Sequence, residues 1–321
     1  VASFIAFAVP ALFLTRQMPK RDWITHRQMN LVLYCFILFS ALTVANGYSS
    51  GFYFILDFVE AEAKRGALRY PTWMNYAISI SCTTILPFAY AWFVVQRRYA
   101  IAAVVLCLIL LFYPITLNKT VLLTPFWLVA LTMLLRFVPA KPAVVLSLMI
   151  PMLFGIIVHM AQPIETRAIF GLINFRMLAI PASGIDHYAH FFSTRPVTGF
   201  CQINIIGALF QCQMPDQLGV MLARVYATGN YNASLFATEG LASVGPYFAP
   251  FVALLCGVVI AFGNMASSRL DPTFIFLSSS ALVQAVTNIP LSTVMVTHGG
   301  ALMFLLWLLT PRTKIKKRWL G

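Results

Sequence analysis

The chain has 321 residues, of which 60% are apolar and only 10% charged, with a mean hydropathy of +0.83 and a formal net charge of +13. Soluble domains carry about 25% charged residues, so this composition excludes a water-exposed globular fold. It also excludes a β-barrel, whose strands alternate apolar and polar residues over ~10 positions, whereas Ile101–Leu111 and Phe251–Phe262 are apolar throughout. A helix needs about 20 apolar residues to cross the hydrocarbon, which leaves room for roughly nine or ten crossings. The expected fold is all-α, a polytopic transmembrane helical bundle.

Taken in chain order, apolar windows predict spans near 1–15, 30–48, 73–95, 100–117, 121–138, 143–161, 241–263, 273–290 and 299–310. The first run is short for a crossing and the chain starts at Val1, so further residues are expected upstream. It is not a signal peptide, because its basic cluster follows the apolar run instead of preceding it. The connectors alternate in charge. Fourteen of the 22 lysines and arginines fall on one set: Arg16, Lys20, Arg21 and Arg27, then Arg97 and Arg98, Arg136 and Lys141, Arg269, and the tail from Arg312 to Arg318. The positive-inside rule assigns these short loops to the cytoplasm. The positive charge is thus largely a cytoplasmic-face property, and no nucleic-acid partner is indicated. The chain then divides into an N-terminal transmembrane bundle (1–161), a connector region (162–240), and C-terminal transmembrane helices with a basic tail (241–321).

Eight cations are left on the exoplasmic side, against the bias: Lys64, Arg65, Arg69, Lys119, Arg167, Arg176, Arg195 and Arg224. The stretch 49–72 reads as a helix continuing beyond the membrane, with Glu60–Lys64 and Glu62–Arg65 at pairing distance along it. Arg69 lacks an acid at helical spacing and sits one turn from Arg65. The stretch 162–240 exceeds an ordinary loop length and is rich in aromatic residues, so it is expected to be ordered on the membrane surface. It holds four arginines and the trio Asp186, His187 and His190, and Glu239 follows at its end. Planar guanidinium donors match phosphate oxygens, while each arginine could equally pair with a carboxylate. Lys119, between two spans, either snorkels to the interface or faces an anionic ligand.

No Gly-rich phosphate loop, CxxC pair, HExxH or acid-x-acid pair occurs. His187 and His190 stand three apart, but two ligands do not make a metal site, and no metal or cofactor is expected. Four of the six cysteines fall in spans, whereas Cys201 and Cys212 lie where a disulfide is chemically permitted.

Three stretches resemble the bacterial O-antigen and exopolysaccharide polymerases, the membrane enzymes that join lipid-linked repeat units. They are Arg176 to Gly184 followed by Asp186-His187-Tyr188 and the aromatic pair Phe191-Phe192, then Asn230 to Ala242, and the Asn118-Lys119-Thr120 element. The resemblance implies a GT-C-like glycosyltransferase fold and a substrate carried on undecaprenyl diphosphate at the outer face of the inner membrane. It further implies an inverting transfer and a chain-length regulator among the partners, besides membrane lipid. Under that reading Arg176, Arg195 and Arg224, with Arg65, Arg69, Lys119 and Arg167, would hold the diphosphate, where they stabilise charge that grows in the transition state. Asp186, His187, His190 and Glu239 compete for the general base, with His187 or Asp186 preferred. Two alternatives stand beside it: an O-antigen ligase using the same donor, and a transporter or flippase for anionic lipid-linked substrates. A transporter should carry charge at mid-span and often an internal repeat. A structural assembly subunit would leave the outer arginines without a purpose.

Overall fold

A computed structural model describes residues 1–14, 18, 23–66, 68–161, 174, 180–212, 214, 216–226, 238–286 and 289–311. These residues form helices and connecting turns, with no strand among them. Six helices are long and apolar enough to cross a membrane: His26–Ser49, Thr72–Val95, Tyr99–Thr116, Lys119–Phe137, Ala140–Ala161 and Thr238–Ser267. Shorter apolar helices cover Ala2–Phe13, Pro272–Val286 and Gly300–Leu309. Each predicted span overlaps one of these helices, and the described residues are those of an all-helical multi-pass membrane protein.

Local chemistry sets where these helices start. Thr25 opens the His26–Ser50 helix with a capping box: Gln28 N–H donates to its hydroxyl (3.3 Å), while the Gln28 side-chain oxygen accepts from the Thr25 amide (2.8 Å). Asn118 Oδ1 accepts from Thr120 N–H at 3.0 Å and starts the Lys119–Phe137 helix. Asp271 Oδ1 accepts from the amides of Thr273 and Phe274 ahead of Pro272–Val286. Each side chain satisfies amides that a helix start leaves without partners. The Thr238–Ser267 helix is two helices joined at Gly245, whose φ of 78° suits glycine, with Pro246 directly after it.

Compactness groups the chain differently from its sequence order. One unit contains 1–17, 146–265 and 284–294, and the other 18–145, 266–283 and 295–321. The second unit is centred on the Thr72–Val95 helix, buried along most of its length and widened by a π-helical turn at Ser81–Ile85. Hydroxyls line that turn. Ser40 and Ser81 bond to each other, and both Thr83 and Thr84 donate to the His298 carbonyl at 2.7 Å.

The two ends of this unit differ in charge. At one end the Trp92 indole and Gln96 amide donate to Asn30 Oδ1, Arg98 reaches the Tyr34 hydroxyl, Trp92 meets Phe274, and Tyr90 bonds to Thr132. These contacts gather the connectors bearing Arg27, Arg97, Arg98, Arg136 and Arg269. At the other end the 53–70 segment folds over the 113–122 turn. Tyr53 N–H donates to Pro114 O (3.1 Å), the Tyr113 hydroxyl to Ile55 O, and the Tyr70 hydroxyl to Ile115 O (2.9 Å). Ala61, Tyr113 and Leu117 form a small core beneath. Burial, and secondarily Tyr53, pushes the Tyr70 phenol above its ordinary range, so it stays protonated and able to donate.

In the first unit the Ala2–Phe13 helix meets the long C-terminal span at a backbone contact. A Cβ on Gly257 would lie 2.3 Å from the Phe7 carbonyl oxygen, and no side-chain rotation relieves that overlap. Gly257→Val is expected to destabilise the fold by about 1–3 kcal/mol, the usual range for overpacking. Thermal unfolding in detergent checks this against Gly66→Ala, whose Cβ would meet only Ala63 O at 3.6 Å. Equal melting temperatures for the two variants would refute the contact.

Candidate functional site

In the first unit, three elements bring the titratable residues together. The helix Ile180–Ser193 buries Tyr188 and Phe191 against Leu218 and Leu222 of the helix Leu218–Tyr226 and against Ala242. Positions 188, 191 and 192 fall on one side of a helix, and that aromatic stripe is what folds the connector. The remaining positions carry the chemistry: Asp186 and His190 are exposed, while His187 is half-buried.

Both histidines converge on Tyr226. The His187 ring stacks on the Tyr226 ring with centroids 4.5 Å apart, and His190 Nδ1 lies 2.8 Å from the Tyr226 hydroxyl. That hydroxyl also donates to the His187 carbonyl at 3.4 Å. A phenol has one proton, so both contacts are satisfied when His190 carries its proton on Nδ1. The Nε2 lone pair is then left as the acceptor. Among the described residues no three His, Cys, Asp or Glu side chains are grouped to hold a metal ion.

Glu239 has a different setting. It is 3% exposed, and its Oε2 accepts the Leu291 N–H at 3.1 Å where the short helix Leu291–Val296 begins. Burial, and secondarily the Glu239 charge, pushes the Tyr188 phenol above its ordinary range. Glu239 thus ties this cluster to the 289–294 segment and has its carboxylate engaged in doing so.

The cations separate by environment. Arg224 pairs with Asp216 at 2.5 Å, on an exposed side chain, and exposed pairs contribute little to stability. The guanidinium of Arg195 lies 4.0 Å above the Phe191 ring. Arg176 and Arg167, and the 230–237 part of the second resembling stretch, lie outside the described residues.

In the second unit the Phe58–Arg65 helix starts at Asp57, whose carboxylate accepts from the Glu60 amide (3.4 Å). Among the described residues the expected Glu60–Lys64 ion pair is not formed. The ammonium of Lys64 lies over the Tyr53 ring instead, 4.5 Å from its centroid. Arg65 and Arg69 are exposed; Arg65 ends the Phe58–Arg65 helix and Arg69 lies beyond it, so the continuous helix expected over 49–72 is interrupted. The Glu62 side chain, the expected partner of Arg65, lies outside what is described. Lys119 is the first residue of its helix, where a cation opposes the helix dipole. Leu117 and Leu122 pack with Ala61 and Leu68, so Lys119 and the Arg65–Arg69 segment belong to one end of this unit.

Cys201 and Cys212 are bridged by a disulfide. Asn174 also escaped sequence reasoning. It is buried, its Nδ2 donates to Met152 O at 2.9 Å, and its Oδ1 has no hydrogen-bond partner among the described residues. A Cβ at Gly155 would collide with that amide oxygen.

Comparison with protein-family models, with curated proteins and with solved structures finds no match for this chain.

Proposed function

We propose that the chain polymerises lipid-linked oligosaccharide repeat units at the outer face of a bacterial cytoplasmic membrane. In this reading the growing glycan moves from an undecaprenyl diphosphate carrier to the sugar of a new lipid-linked unit. The observation that carries the reading is where charge lies. No Asp, Glu, Lys or Arg occupies the middle of any of the six long helices, whereas the connectors gather cations and an oriented histidine. Such a distribution suits chemistry at the interface more than passage through the bundle. The Cys201–Cys212 bridge supports an outward-facing connector, since disulfides persist in oxidising compartments.

The chemistry follows from the residues. His190 Nε2 takes the proton of the acceptor hydroxyl as that oxygen attacks the anomeric carbon. The bond from that carbon to the diphosphate oxygen breaks, and the electron pair leaves with the diphosphate. Arginines placed against the diphosphate stabilise that charge as it develops. Of the four candidate bases, His190 is favoured because Tyr226 fixes its tautomer, while Glu239 is buried with one carboxylate oxygen accepting the Leu291 amide.

Surface polysaccharide from a deletion strain tests the proposal. A polymerase leaves a single repeat unit on its anchor. Long chains still on the lipid carrier would indicate a ligase instead, and loss of all surface glycan a flippase.

A further inference from the structure

Residues 196–215 carry no charged side chain, although Arg195 and Asp216 flank them directly. The disulfide closes 201–212 within this stretch, which thus forms an uncharged, cross-linked turn between charged residues.

Its position relative to the adjoining span is set by hydrogen bonds. The amides of Thr198 and Gly199 donate to the carbonyls of Ala242 and Ser243 (2.8 and 3.0 Å), and Gln202 Nε2 donates to the Ser243 hydroxyl (2.7 Å). The root of the turn is therefore fixed beside the Gly245 kink. From there Phe200 reaches down to the core formed by Val252 and Cys256. Val252 lies seven residues past Gly245, about 10 Å along a helix that rises 1.5 Å per residue. The outer surface of that same stretch is apolar, with Phe248 61% and Phe251 63% exposed. The turn thus starts at the depth where the span presents aromatic rings outward.

The tip of the turn shows the same character. Leu209 is 72% and Phe210 69% exposed. Backbone groups near them are paired within the turn: Cys201 N–H with Thr198 O, Ile203 N–H with Phe200 O, Phe210 N–H with Ile206 O and Cys212 N–H with Gly207 O. A loop in water has no need of such pairing, whereas one against hydrocarbon does.

We infer that the disulfide-closed turn 201–212 is a lipid-contacting clip, with Leu209 and Phe210 inserted at the headgroup–acyl boundary beside the Gly245 kink. The occupant of this apolar surface is membrane lipid. The uncharged sequence, the internally paired backbone and the depth of Phe200 all favour it over an aqueous partner. The clip would hold the connector carrying His187, His190 and Tyr226 at a fixed height over the bilayer.

The test uses full-length protein in nanodiscs of phosphatidylethanolamine and phosphatidylglycerol. Cys35, Cys82, Cys107 and Cys256 are replaced, the Cys201–Cys212 bridge is kept and verified by mass, and a nitroxide is attached at 209 or 210. Collisional relaxation by oxygen and by a water-soluble nickel chelate is compared with labels at 194 and 251. At both tip positions oxygen is expected to dominate as it does at 251, with the chelate excluded. A profile like that at 194 would place the tip in water and overturn the inference. Exclusion of both reagents would mean a protein surface covers the tip, which overturns it too. As a check that needs no substitution, a phospholipid with a diazirine in its acyl chain should photolabel the peptide containing 201–212 in the native protein. Absence of label there, with label on the 246–267 helix, is a second refuting result. Neither readout depends on turnover, so failure here is distinguishable from failure of the polymerase reading.

Discussion

Replacing His190 by alanine is expected to reduce polymer formed per folded protein by about 10²–10⁴-fold, the range for loss of a general base. Binding of the lipid-linked donor should change little. The expectation rests on the contact that holds His190 Nδ1 2.8 Å from the Tyr226 hydroxyl and leaves Nε2 available for the acceptor proton. Tyr226→Phe keeps the ring that stacks on His187 but removes the hydroxyl that orients His190. One hydrogen bond is worth about 0.5–1.5 kcal/mol, so that variant should lose turnover by roughly 2–13-fold, mostly in kcat. His187→Ala removes a stacking partner without touching the tautomer of His190, and should act mainly through stability. Glu239→Gln keeps an oxygen that can accept from Leu291 N–H and should retain most activity if Glu239 is structural. Normal polymer from the His190→Ala variant would remove the histidine from the mechanism. Loss confined to Glu239→Gln in a folded protein would transfer the base to that carboxylate.

The membrane helices were legible because their signals are local. Apolar runs place a span at 73–95 and the helix covers Thr72–Val95; runs place another at 121–138 and the helix covers Lys119–Phe137. The small offsets arise at caps: Asn118 draws the second helix start back to Lys119. The π-helical turn at Ser81–Ile85 had no local signal, because the carbonyl that engages Thr83 and Thr84 belongs to His298, more than two hundred residues away. The candidate site divides in the same way. Asp186, His187 and His190 share one helix, as their spacing suggests, but Tyr226 is 36 residues from His190 and joins it only through aromatic packing. Arg224 lacks an acid at three or four residues, and its partner Asp216 stands eight residues back, before the helix begins. A search by helical spacing cannot find that pair. The glutamate at 239 stood out as an acid beside a span; its engagement by Leu291 depends on a later segment folding back to it.

The pairing of Arg224 sharpens what the cations should do when removed one at a time. Arg65 closes the Phe58–Arg65 helix and Arg69 follows beyond its end, both exposed at the end of the unit that also holds Lys119. If they hold a diphosphate, Arg65→Ala and Arg69→Ala should each weaken binding of a lipid diphosphate analogue by about 10–150-fold. That range corresponds to 1.5–3 kcal/mol for a hydrogen bond to a charged group. Arg→Lys at the same positions keeps charge but loses the two-pronged donor, so part of the loss should remain. Lys119→Ala belongs in the same series, because Leu117 and Leu122 place Lys119 at the end of the unit that carries Arg65 and Arg69. Arg176→Ala belongs in the series on the strength of its sequence context alone. Arg224→Ala is the contrast: its exposed pair with Asp216 should cost less than about 1 kcal/mol of stability and leave analogue affinity within a few-fold of the parent. Arg195→Ala, which removes the group over the Phe191 ring, separates packing from binding through folded yield measured beside affinity. Unchanged affinity in the Arg65, Arg69 and Lys119 variants together would show that this end of the second unit does not bind the diphosphate. A large loss in Arg224→Ala alone would mean that the Asp216 pair opens to receive substrate.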